Sequence, residues 1–188
     1  MINRELIRTK VVQLVYAYVQ NEDKSLDAAE RELEFSLLKS YELYKFLLSL
    51  LVQVKYTAER REDARLARAE RLGVASDELP IDKYLAENKL LQKMASNKVL
   101  LDYLETEKQE WMEDDALIRN VYKSFTESSI YHEYIHKGDY SIKADRELVR
   151  RLYKEYLLEN ELLESTLEDH SIYWNDDKEV IDHFVIKT

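Results

Sequence analysis

The strongest catalytic pattern in this sequence is His-Glu-x-x-His, formed by His132, Glu133 and His136. On a helix, two histidines four residues apart bind zinc on one side, and the glutamate acts as a general base in metalloproteases. Against this chemistry, the helix is predicted to end at Gly138, and no strand is predicted that could hold a peptide substrate. The same histidines also lie in helical phase with the apolar residues Ile118, Tyr122 and Phe125. We therefore expect half-buried histidines and no metal site, with a metallohydrolase as the most distant alternative.

Other catalytic chemistries lack the residues they need. The chain has no Cys, which excludes a thiolate nucleophile, a disulfide framework and a Cys-ligated metal. Its two Gly cannot form a phosphate-binding loop, and no Ser has the flanking glycines of a nucleophile turn. We predict a protein that is not an enzyme and has no cofactor.

Composition predicts an all-α protein, a helical bundle. The 188 residues include two Gly and one Pro, where ordinary usage gives roughly 13 and about 9. Such a chain lacks the turn residues of an antiparallel sheet. No segment is long and apolar enough to span a membrane, and no signal peptide follows Met1. We expect a soluble, cytoplasmic protein without a membrane partner.

The apolar periodicity predicts a first helix over residues 3–20 and a second over residues 27–71. Either Ser25 or Asp27 can cap the second helix. A straight helix of that length would measure roughly 65 Å. We therefore expect a kink or break between Ser36 and Ser40.

A linker is predicted between Gly73 and Pro80, because Gly suits the end of a helix and Pro suits the first turn. It divides the chain into an N-terminal subdomain, residues 1–72, and an additional helical region, residues 73–188. The segment 55–72 before the linker is rich in charge and should project into solvent. The second region is predicted to form helices at about 81–113, 115–136, 142–168 and 177–188.

The last of these helices is predicted to start at a cap formed by Asp176 and Glu179. Gly138 is predicted to end the helix that carries the two histidines. The apolar pattern of the last helix runs to Thr188 without a C-terminal signal. We therefore expect the chain to be the N-terminal part of a longer protein.

The net charge of −10 is unevenly distributed. Residues 102–115 carry −6 and residues 155–182 carry −9, so the rest of the chain carries +5. Its positive parts are residues 1–20, 55–71 and 116–154. An acidic protein can still present a local basic surface to an anionic partner.

The segment Ile7–Tyr18, with the sequence IRTKVVQLVYAY, resembles the opening helix of the bacterial transcription antitermination factor NusB family. Five residues fall in register with that helix: Arg4, Arg8, Val12, Gln13 and Tyr16. The segment from Phe35 to Val52 is similar in composition to the helix pair that follows in the family. The resemblance covers about the first 55 residues, and the family's second helical subdomain has no counterpart in residues 73–188.

The resemblance implies an all-helical adaptor that suppresses transcription termination. Its partners would be boxA-like single-stranded RNA, a small-subunit ribosomal protein that acts as an elongation factor and, indirectly, the RNA polymerase complex. Arg4, Arg8 and Lys10 can contact phosphates, and an exposed ring of Tyr16 or Tyr18 can stack on a base. Glu5 and Leu6 replace part of the family's basic cluster, which leaves this helix with modest positive charge.

Two alternatives remain at this point. Both tyrosine rings can instead belong to the core, since aromatic side chains of an apolar helix usually pack. The chain would then be a helical protein–protein interaction domain with no RNA role, and the acidic residues 155–182 would form its binding surface. Exposure separates these alternatives, because RNA binding requires a basic N-terminal helix that faces solvent.

Overall fold

The computed structural model describes residues 4–20, 25–73, 80–107 and 115–188. These residues form ten α-helices and no strand, and helix accounts for 88% of them. The prediction of an all-α helical bundle is therefore confirmed. The helices are α1 (Arg4–Gln20), α2 (Leu26–Leu72), α3 (Ile81–Ala86), α4 (Lys89–Ala95), α5 (Lys98–Thr106), α6 (Asp115–Thr126), α7 (Ser129–Lys137), α8 (Ile142–Tyr156), α9 (Glu161–His170) and α10 (Ile172–Lys187).

The chain divides into two compact units. The first unit consists of Met1–Phe46 and Leu167–Thr188, and the second consists of Leu47–Thr166. The predicted division into residues 1–72 and 73–188 does not coincide with these units, because α2 contributes its first part to one and its second part to the other. Most of the predicted linker, residues 74–79, lies outside the described residues.

Helix α2 runs without the break predicted between Ser36 and Ser40. The chain has no Gly or Pro within this helix, so nothing in the backbone ends it. The Ser40 hydroxyl oxygen lies 3.0 Å from the Ser36 carbonyl oxygen inside an intact helix. The Ser25 hydroxyl accepts from the Ala28 amide at 3.3 Å, so Ser25 is the cap and Asp27 lies in the first turn.

The segment 55–72 projects into solvent only in its later part. Lys55, Ala58 and Glu62 are buried, whereas most residues from Asp63 onward are exposed. The predicted exposure of this segment is therefore wrong for its first two turns. Helical periodicity explains the difference, because these three residues recur at spacings of three and four on the side that faces the core.

Both glycines adopt the left-handed backbone that ends a helix, with φ of 61° at Gly73 and 66° at Gly138. The predicted helix end at Gly138 is confirmed. Helix α10, by contrast, begins at Ile172, where the Ser171 hydroxyl accepts from the Tyr173 amide at 3.4 Å. The predicted cap at Asp176 is wrong, because that residue lies inside the helix.

Polar caps divide helices that the periodicity predicted as single. The predicted helix 81–113 is three short helices over its described residues, because Asn88 and Asn97 each accept a backbone amide and start a new helix. Ser128 likewise separates α6 from α7 by accepting from the Tyr131 amide at 3.1 Å. Asn160 separates α8 from α9 by accepting from the Leu163 amide at 2.9 Å.

In the second unit, α8 packs against α4, α6 and α7. Its inward side buries Asp145 among apolar residues, and the most buried large side chains around it are Phe125, Tyr131, Leu152 and Tyr153. Both carboxylate oxygens of Asp145 are used: Oδ1 accepts from the Tyr134 hydroxyl at 2.5 Å and Oδ2 from the Lys89 amide at 2.7 Å. This buried carboxylate therefore joins α8 to α4 and α7.

In the first unit, α10 packs against α1 and the first part of α2. The Trp174 ring contacts Phe46 at 5.1 Å and stacks on His170 at 5.5 Å between ring centroids. None of the helices among the described residues is long and apolar enough to cross a membrane.

Alkaline pH is expected to destabilise the second unit. Burial raises the pKa of Tyr131 above its usual 10.0, and burial with the hydrogen bond to Asp145 does the same for Tyr134. A raised folded-state pKa stabilises the fold fully below pH 10, and that contribution is lost as the pH rises through the folded-state pKa. The free energy of unfolding in urea should fall above pH 10 and stay level between pH 8 and pH 9.

The ultraviolet absorbance of tyrosinate provides the check on this expectation. In native protein, part of the tyrosine absorbance change should appear only together with unfolding, whereas in denatured protein all 14 tyrosines should titrate near pH 10. Identical native and denatured titration curves would contradict the prediction.

Candidate nucleic-acid interface

Helix α1 carries a row of exposed side chains at intervals of four residues. Arg4, Arg8, Val12 and Tyr16 follow one another along this row, and all four are exposed. Tyr16 is 68% exposed, and it lies about 12 Å along the axis from Arg8. The row therefore has two guanidinium groups at its start and an open aromatic ring at its end.

Lys10 lies on the opposite side of α1, in line with buried Leu6. It is 5% exposed, and its Nζ lies 2.6 Å from Oδ1 of Asp177 on α10. The same carboxylate accepts from the Ser40 hydroxyl at 2.5 Å through Oδ2. In this structure the Lys10 ion pair joins α1 to α10 and its ammonium is buried, so Lys10 does not face solvent as its predicted role requires.

The outward side of α1 also carries exposed apolar side chains, next to the exposed polar residues Glu5, Thr9 and Gln13. Val15 and Val19 are exposed together with the Tyr18 ring, and Val19 is 73% exposed. The interpretation of both tyrosine rings as core residues does not hold here, because Tyr16 and Tyr18 are both exposed. Val15, Tyr18 and Val19 therefore add exposed apolar area beside the row.

Comparison with known proteins finds no match for this chain among protein families, curated proteins or solved structures. The resemblance of α1 to the NusB family therefore stays a prediction.

The His-Glu-x-x-His residues occupy the last two turns of α7. His132 is half-buried and His136 is exposed. The Glu133 carboxylate forms ion pairs with Arg151 at 3.3 Å and Lys137 at 3.9 Å. Nowhere in the described part of the chain do three metal-ligating side chains come together. The structure therefore gives the two histidines no third ligand among these residues and gives Glu133 two cationic partners.

The acidic residues 155–182 do not form one uniform surface. Glu161, Glu164 and Glu168 are exposed along α9. Asp177 and Asp182 are buried, and each is paired with a lysine. Part of this charge therefore stabilises the first unit, which the charge count alone could not show.

One set of basic residues, three exposed and one half-buried, was not identified from the sequence. The charge count places positive charge in residues 116–154 but indicates no surface there. The structure places Lys143, Arg146, Arg150 and Lys154 on one side of α8. Their spacing of three, four and four residues is the signal that could have identified them.

Proposed function

We propose that this protein is a non-enzymatic adaptor of the NusB type that binds boxA-like single-stranded RNA in the cytoplasm and suppresses transcription termination. The observation that supports it is the exposed row of Arg4, Arg8, Val12 and Tyr16 on α1. Solvent exposure of this helix is what separates the RNA-binding proposal from a purely structural role.

The side chains of this row suit the chemistry of a single strand. A guanidinium group donates in a planar fork that matches phosphate oxygens, so Arg4 and Arg8 suit two phosphates of the backbone. An exposed Tyr16 ring offers a face on which an unstacked base can lie. Phosphate contacts would position the strand, and the ring would bind one base of it.

A protein partner has its own surface on the same helix. The exposed Val15 and Val19 lie beside the row and offer an apolar strip that suits contact with another protein. In the proposed adaptor this partner is a small-subunit ribosomal protein, and contact with RNA polymerase is indirect. An adaptor of this type would hold RNA and protein on adjacent sides of α1.

A second candidate function is protein binding without RNA, favoured by the same exposed valines. The two candidates differ in what a charge variant does. If the protein binds RNA, removing Arg4 and Arg8 should weaken that binding. If it binds only a protein, the same variant should change the affinity for the protein partner little, because an apolar contact depends weakly on charge and salt.

Replacing both arginines, Arg4→Ala with Arg8→Ala, is expected to weaken binding of a fluorescein-labelled boxA-like RNA of about 12 nucleotides. Affinity decreases with salt, and each lost phosphate contact makes the plot of log affinity against log salt less steep by about 0.7. The magnitude of the slope should therefore decrease by about 1.4. Fluorescence anisotropy titrations at several salt concentrations between about 50 and 200 mM give the affinities from which this slope is obtained.

The matched control for this variant is Arg68→Ala with Arg71→Ala. Both residues are exposed near the end of α2, so the control removes the same charge from another surface. Equal slopes for wild type and the α1 variant would remove Arg4 and Arg8 from the RNA site.

A further inference from the structure

Helix α8 presents a basic side to solvent in a protein whose net charge is −10. We define the basic ridge as Lys143, Arg146, Arg150 and Lys154. The opposite side of the helix packs into the second unit, so the ridge is held on a rigid element. Its 11-residue span corresponds to about 16 Å along the helix axis.

Three of the four charges of this ridge are available to a ligand. Lys143, Arg146 and Lys154 are exposed, and no residue of the described ranges forms an ion pair with them. Arg150 is half-buried and lies 3.6 Å from Glu147. The ridge therefore keeps a net positive charge even when Glu147 is counted with it.

A groove of about 270 Å³ adjoins the ridge between α7 and α8. Ile130 and Leu148 contribute apolar surface to its lining, and Lys143 belongs to both the groove and the ridge. Pockets for drug-sized ligands measure roughly 300 to 1,000 Å³, so this groove suits a smaller group such as a single base. Glu133 and Glu147 also line it, and carboxylates accept hydrogen bonds from the amino groups of bases.

We propose that the basic ridge and this groove form a second binding surface for single-stranded RNA, with phosphates along the ridge and one unstacked base in the groove. The inference rests on the proposed function only in taking RNA as the ligand. It concerns the second unit and does not involve α1.

Two features favour RNA over an acidic protein segment. Half of the ridge is arginine, whose planar fork suits phosphate oxygens. The groove provides apolar surface beside the charges, which a base uses and a run of carboxylates does not. A single strand is required, because a base within a duplex is stacked and cannot enter the groove.

The test is the double variant Arg146→Ala with Lys154→Ala, titrated against a labelled single-stranded RNA of about 12 nucleotides and mixed sequence. The magnitude of the slope of log affinity against log salt should be smaller by about 1.4, and the affinity at low salt should be about tenfold weaker. Arg68→Ala with Arg71→Ala removes the same charge elsewhere and should match wild type. Circular dichroism verifies that each variant keeps its helical content.

Comparison with the Arg4→Ala and Arg8→Ala variant separates this inference from the proposed function. If only the α1 variant weakens binding, the inference about α8 is overturned and the proposed function stands. If only the α8 variant weakens binding, the inference is supported and the α1 site is contradicted. If wild type binds no RNA, both fail.

Two competitors and one further variant test the nature of the ligand. Poly-glutamate that displaces the RNA at an equal charge concentration would overturn the assignment to RNA, and equal affinity for double-stranded RNA would overturn the base in the groove. Ala144→Leu fills part of the groove lining without changing any charge. It should abolish the fluorescence change of a 2-aminopurine base in the strand, and an unchanged signal would contradict the groove.

Discussion

Asp177→Ala is expected to lower the free energy of unfolding by about 3 to 5 kcal/mol. The carboxylate and the Lys10 ammonium are 3% and 5% exposed and lie 2.6 Å apart. Removing one member of a buried ion pair leaves the other charge without a partner and out of water, and that state is strongly unfavourable. Ser40 loses its acceptor on Asp177 as well, although its hydroxyl can then turn and donate to the Ser36 carbonyl.

Urea unfolding followed by circular dichroism measures this effect. Asp176→Ala is the matched control, because the adjacent aspartate is exposed and should change the free energy by about 0.5 kcal/mol or less. Replacing the whole pair, Lys10→Met with Asp177→Leu, should restore most of the loss, since an apolar pair leaves no buried charge. A cost equal to that of Asp176→Ala would show that the buried pair does not hold α1.

Asp145→Ala is expected to cost about 3 kcal/mol or more. The carboxylate is 1% exposed and accepts from the Tyr134 hydroxyl and the Lys89 amide. Hydrogen bonds to a charged group contribute about 1.5 to 3 kcal/mol each, and the two donors would stay buried or partly buried without an acceptor. Because these donors belong to α7 and α4, the variant should loosen the packing of both helices on α8.

The same urea measurement applies, with Glu147→Ala as the control on the same helix. Glu147 is exposed, so its removal should have a small effect. A double-mutant cycle with Tyr134→Phe isolates the hydrogen bond, and we expect a coupling of about 1 kcal/mol or more. Additive single effects would mean that the hydroxyl and the carboxylate do not interact.

Much of the fold follows from the sequence, while the helix breaks in the second unit follow from side-chain chemistry that periodicity does not report. The low Gly and Pro content predicts the helical class, and Gly73 and Gly138 end helices where expected. Asn88 and Asn97 divide a helix whose apolar pattern continues across them, because an asparagine can accept a backbone amide and start a new helix. Recognising these two caps in the sequence would have predicted the breaks.

The candidate site was predictable in part. Arg4, Arg8 and Tyr16 share a row by spacing alone, and the structure places all three in solvent. The burial of Lys10 was not predictable, because apolar residues occupy most sides of α1 and the sequence does not indicate which side faces inward. Its partner Asp177 lies near the opposite end of the chain, and only the folded first unit brings the two together.

The most direct test of the central claim is a competition between two RNAs for the wild-type protein. Labelled boxA-like RNA is bound at about 50 mM salt, and unlabelled boxA-like RNA or a scrambled strand of the same composition is added. We expect saturable binding that weakens with salt, with the boxA-like competitor effective at a lower concentration than the scrambled one. Absence of any RNA binding at this salt concentration would contradict it.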